Sequence, residues 1–126
     1  MTSILEQLRA ALPLAMRERD AAAVTALRGA IAAVGNAEAV DASEHAHVAS
    51  TSTVTSEHVA GANVGLGSAD VARRELSEDD VRRVVQAEID SRLADAVLLE
   101  GHDLGERAER LRAEAAVLRE LMEGTP

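Results

Sequence analysis

The sequence predicts an all-α protein built from two antiparallel helical hairpins, four main helices in all, with a long loop between them. Three observations lead there. The 126-residue chain contains no Phe, Tyr or Trp, so its core must be filled by Leu, Val, Ile, Ala and a little Met, which favours closely packed helices over a sheet. Apolar residues recur at three- and four-residue spacing in four stretches. Residues with cap chemistry, serine and aspartate, stand at the heads of those stretches. The length suits one domain, able to bury about two thirds of the surface its unfolded chain exposes.

The first helix is headed by Ser3 with Glu6 three residues on, the spacing of a capping box, and carries Ile4, Leu5, Leu8, Leu12, Ala15 and Met16 at helical period. Pro13 falls inside it; an interior proline loses a hydrogen bond, so a kink or a division into two short helices is expected there. Asp20 caps a second helix, whose Val24, Leu27, Ile31 and Val34 face the first across a very short connection, making the pair antiparallel. From Val40 to Gly67 the pattern gives way to Ser, Thr, Ala, His and Gly with no sustained period, which reads as a long flexible loop. Ser68 caps a short helical turn through Asp70 to Glu75.

The third helix opens at Ser77, with Glu78, Asp79 and Asp80 in its first turn, where the helix dipole favours negative charge by about 0.3–1 kcal/mol each. Asp80 is placed to reach back to Ser77 as the third residue of a capping box. The helix carries Val81, Val85, Ile89, Arg92, Ala96 and Leu99, and ends at Gly101, a residue suited to the left-handed closing position. Asp103 and Glu106 form a second capping box for the fourth helix. There Leu104, Ala108, Leu111, Ala115, Leu118 and Met122 alternate four- and three-residue steps, the pattern of a coiled-coil seam, along which self-association is a candidate.

The formal charge of −9, with all 13 basic residues arginine, disfavours autonomous binding to tRNA or other phosphate backbones. Without Cys there is no disulfide or thiolate chemistry, and without Lys no Schiff base and no phosphate-loop lysine. No apolar run is long enough for a signal peptide or a membrane span, so the expected location is cytoplasmic. His45 and His47, near Glu44 and His58, match no standard zinc spacing and read as solvated histidines. Gly61 to Ser68 has neither the GxGxxG spacing nor a GK[ST] ending, and reads as a hinge. The three acids 78–80 point about 100° apart along a helix, so they do not converge on one ion. Offsets such as Asp79 to Arg83 and Asp103 to Arg107 predict exposed ion pairs. No catalytic, cofactor-binding or metal-binding residue follows from these patterns, and no cofactor is implied. The candidate interaction face is Arg82, Arg83, Gln86 and Asp90, on one side of the third helix.

An ordered set of residues carries a family resemblance. It runs through Leu12, Ala15-Met16-Arg17 and Asp20, then Leu27-Arg28, Ala32-Ala33-Val34 and Asn36-Ala37-Glu38. It continues in Leu76 to Val81, Gln86-Ala87-Glu88-Ile89 and Glu114 to Leu118. In these the chain resembles the YqeY-like family, relatives of the tail region of the B subunit of the tRNA-dependent glutamine amidotransferase. The likeness is to the family's N-terminal helical domain; the three-helix tail that usually follows, the region associated with tRNA in the amidotransferase, has no counterpart after helix four. The resemblance implies a link to carbon–nitrogen ligase activity with glutamine as amido-nitrogen donor. The residues themselves imply a non-catalytic helical interaction module with an unidentified protein partner, accessory to tRNA-dependent amidation or another cytoplasmic assembly. The alternative is a direct role in amidation or tRNA binding.

Overall fold

A computed structural model describes residues 2–49 and 76–124, with side chains for 2–39 and 76–124. Four helices are present among them: α1 (Ile4–Glu18), α2 (Ala21–Ala49), α3 (Glu78–Gly101) and α4 (Gly105–Glu123). The all-α class and the two hairpins are as expected. Met1–Val34 and Ser77–Pro126 cluster as one compact unit, and Gly35–Leu76 as a second.

Each hairpin of the first unit is closed by the same backbone device. After α1, Arg19 adopts a left-handed conformation (φ 58°), its N–H bonds the Met16 carbonyl and that of Asp20 bonds the Ala15 carbonyl. After α3, Asp103 does the same (φ 59°), with its N–H on Glu100 and that of Leu104 on Leu99. Both are Schellman turns, which satisfy two orphan carbonyls and reverse the chain within three residues. Gly101 therefore ends the α3 helix as expected but is not the left-handed residue; the turn closes two residues later. Because Asp103 is used in that turn it cannot cap α4, whose N-cap is Leu104 with no side-chain bond. The expected Asp103–Glu106 capping box is not formed.

The other caps follow sequence logic. Ser3 Oγ accepts from the Glu6 N–H at 3.1 Å, and Asp20 Oδ1 from the Ala23 N–H at 3.1 Å. At α3 the box is complete: Ser77 Oγ accepts from Asp80 N–H at 3.1 Å and Asp80 Oδ2 from Ser77 N–H at 3.3 Å. α1 is continuous through Pro13, so two short helices do not form. Pro13 is exposed, as is Arg9, whose carbonyl loses the usual N–H partner, and water can replace it. α2 continues past Val40, where the loop was expected to begin, to Ala49. Val40–Ala49 has no Gly or Pro to break the helix, which therefore runs on although its apolar period has ended. Residues 50–67, the short turn expected at 68–75, His58 and the Gly61–Ser68 hinge lie outside the described residues, as do the side chains of His45 and His47.

The core of the first unit is aliphatic. Ile4 and Leu8 of α1, Leu27 and Val34 of α2, Val85 and Ile89 of α3 and Leu118 of α4 are fully buried, each contributing about 1.5–3 kcal/mol relative to exposure. On α2, Ala23, Ala26 and Ala30 are also buried, letting its backbone approach closely. Met16, expected in the core, is exposed; its sulfur instead lies 3.9 Å from Nη2 of Arg28 on α2. Of the α4 seam, Ala108, Ala115, Leu118 and Met122 are buried and α4 packs mainly on α3, while Leu111 is half-buried and Leu104 exposed.

The acidic head of α3 does more than start a helix. Glu78 Oε1 accepts from the Ile4 N–H at 2.8 Å, so one carboxylate sits at the N-termini of both α1 and α3, where each dipole favours it. Glu78→Ala should lower stability by about 1 kcal/mol, the usual cost of losing an N-terminal cap. Chemical denaturation with amide exchange at Ile4 checks this; unchanged exchange there would remove the cap.

Candidate functional site

The four residues of the candidate face lie on the outward side of α3. Arg83, Gln86 and Asp90 are exposed and Arg82 is half-buried. They are tied to their own helix: Arg83 Nη1 bonds Asp80 Oδ1 at 3.1 Å, and Gln86 Nε2 donates to Asp90 Oδ1 at 2.9 Å. Asp80 thus replaces Asp79 as partner of Arg83. Its Oδ2 is pinned by the capping box, which aims Oδ1 one turn up the helix. The expected Asp103–Arg107 pair is also absent, because Asp103 lies in the turn and not one helical turn before Arg107. The outward side continues through Ala87, Ser91 and Ala94 to Val97 and Leu98, all exposed.

On the inward side a second cluster, not anticipated, crosses three helices. Arg92 of α3 occupies a core position between Ile89 and Ala96, its side chain 12% exposed. Nε donates to Glu114 Oε1 of α4 at 3.0 Å, and Nη1 to Glu88 Oε1 at 3.0 Å and to the Glu88 carbonyl at 3.1 Å. Glu114, 7% exposed, is also approached by Arg110 Nε at 3.5 Å, while Arg110 Nη2 reaches Thr25 Oγ1 of α2 at 3.4 Å. Across the gap stands Gly29 of α2: a Cβ there would lie 2.6 Å from Arg92 Nη2. Burial alone would lower the Arg92 pKa, but hydrogen bonds and charge from Glu88 and Glu114 outweigh it, so the guanidinium is held above its ordinary value.

At the far end of the hairpin, Arg112 grips Glu100 through two parallel bonds of 2.8 and 2.7 Å. This hydrogen bond and charge hold the Glu100 carboxyl below the usual carboxylate range. A depressed folded-state pKa stabilises above the unfolded pKa and is lost as pH falls through the folded one. Glu100 should therefore titrate at lower pH than an ordinary glutamate in a carboxyl-detected NMR titration, and return to the ordinary range in Arg112→Gln.

Chemically, these groups are mutually neutralised. No cluster of His, Cys, Asp or Glu among the described residues has metal-ligand geometry, and no helix among them is long and apolar enough to cross a membrane. Spacing puts Arg92 in the apolar stripe of α3 without a partner, Glu114 enters the sequence patterns only through the family resemblance, and Gly29 enters none of them. The available signal was a charge at a core position, which requires an opposite charge on a facing helix. Glu114, beside the seam residue Ala115, is where that charge stands. Comparison with protein-family models, curated proteins and solved structures returns no match.

Proposed function

We propose that the chain is a non-catalytic helical interaction module whose contact surface is the outward side of α3, and that it serves a protein assembly. The observation that carries this reading is the state of that side. Arg83 and Gln86 bond along their own helix, to Asp80 and to Asp90, and exposed residues extend from Arg83 to Leu98. Such surface pairs contribute little to stability, about 0.2–1 kcal/mol, so they exchange readily for bonds to a partner. The inward charges are committed to the bundle: Arg92, Glu88 and Glu114 satisfy one another across helices. The resemblance to the YqeY-like family supports tRNA-dependent amidation as the assembly served, with this chain as accessory.

Affinity capture from native extract at low ionic strength tests the reading. One stoichiometric partner should be recovered, and Arg83→Glu with Gln86→Ala should weaken its retention. Recovery of no partner overturns the proposal. A parallel titration with tRNA separates the alternative: binding with a steep salt dependence would transfer the function to nucleic acid.

A further inference from the structure

Val97 and Leu98, 66% and 63% exposed, are consecutive residues in the closing turns of α3, and Leu104, 39% exposed, begins α4. Single exposed apolar residues are ordinary. Here three large ones share the tip of one hairpin. The bond from the Leu104 N–H to the Leu99 carbonyl folds the residue after the turn back onto the end of α3, the arrangement that brings such a residue against the helix's last turn. The inward positions at this level are held by Ala96 and Ala108, both fully buried, while Val97 and Leu98 stand outside. Ala94, exposed one turn before Val97 and Leu98, lets another backbone come close.

The rim has a definite sign. Between Ala94 and Glu109 the chain carries five acids and one arginine. Glu100 and Glu109 pair with Arg112, whereas Asp95, Asp103 and Glu106 have no ion-pair partner among the described residues. An apolar centre within an acidic rim complements an apolar centre within a basic one. We infer that the hairpin tip docks an amphipathic helical segment of a protein partner, its apolar stripe on Val97, Leu98 and Leu104 and its arginines or lysines on the three acids. A second copy of this chain would set acid against acid, and an anionic membrane would be repelled in the same way. This rests on the interaction-module reading and adds the chemistry of the partner.

The probe is a synthetic amphipathic helical peptide with a leucine stripe flanked by lysines, titrated into the full isotope-labelled chain, beside the same peptide with glutamates for lysines. The lysine peptide should perturb resonances of Val97, Leu98 and Leu104, lose affinity as salt rises, and bind about tenfold or more weakly to Val97→Ser with Leu98→Ser. Those positions are exposed, so the variant keeps its fold, which circular dichroism verifies. Equal binding of both peptides, perturbations centred on Arg82–Asp90, or unchanged affinity of the serine variant overturns the assignment. So does dimerisation by light scattering that the serine variant abolishes, which would give the tip to a second copy. If extract yields a partner that the serine variant still holds, the tip assignment fails while the module reading stands. If the lysine peptide seats on the tip yet extract yields no partner, the module reading alone falls.

Discussion

Glu114→Ala is expected to cost about 3 kcal/mol of folding stability, from a total of about 5–15 kcal/mol for a domain of this kind. Glu114 is the acceptor for Arg92 Nε and the neighbour of Arg110. Removing it leaves a guanidinium in the bundle interior with only one carboxylate, and the penalty for breaking a buried ion pair is about 3–5 kcal/mol. The lower end applies because Glu88, 29% exposed and four residues away on the same helix, still holds Nη1. Arg110 is nearer the surface and can turn to water. Replacing the pair together, as Arg92→Leu with Glu114→Leu, should recover the stability to within about 1 kcal/mol or exceed it, since apolar residues of similar volume need no desolvation of charge. Denaturant midpoints for the two variants check this. A loss below about 1 kcal/mol in Glu114→Ala would mean the cluster is hydrated and not part of the core.

This cluster also marks where sequence reasoning stops. Local signals specified the helices well: Ser3, Asp20 and Ser77 cap where side-chain chemistry says they should, and the stripes Ile4–Leu8 and Val81–Val85–Ile89 are buried. These depend on residues within a turn or two of each other. The end of the apolar period at Val40 marks a loop boundary in the sequence, yet α2 continues to Ala49 with no Gly or Pro to stop it. Gly101 is the natural closing residue, yet the left-handed position falls on Asp103, one of the residue types that tolerate it. The acidic triplet was legible as a helix start, but not Glu78 as the cap of α1, 74 residues away in the chain. Arg92 and Glu114 are separated by 22 positions, and periodicity tells which face of each helix is buried without telling which faces meet. Only tertiary registration assigns the partner.

Gly29 gives the sharpest test of that registration. A glycine inside a helix is ordinarily worth replacing: alanine gains about 1 kcal/mol through propensity. At this position the added Cβ would lie 2.6 Å from Arg92 Nη2 and 3.7 Å from Glu88 Oε1. A long side chain end would normally swing away, but this guanidinium is fixed by bonds to Glu114, Glu88 and the Glu88 carbonyl. Gly29→Ala must therefore break one of those charge-assisted bonds, at about 1.5–3 kcal/mol, or push α2 outward. The substitution should destabilise the wild-type chain by about 1 kcal/mol after the propensity gain is subtracted. In the Arg92→Leu, Glu114→Leu background the obstacle is gone, because leucine stops short of the guanidinium, and the same substitution should stabilise by about 1 kcal/mol. The sign reversal, measured as a thermodynamic cycle of denaturant midpoints, is a coupling that helix propensity alone does not produce. Stabilisation of equal size in both backgrounds would show that Arg92 does not press on α2, and that Gly29 owes its place to something other than this contact.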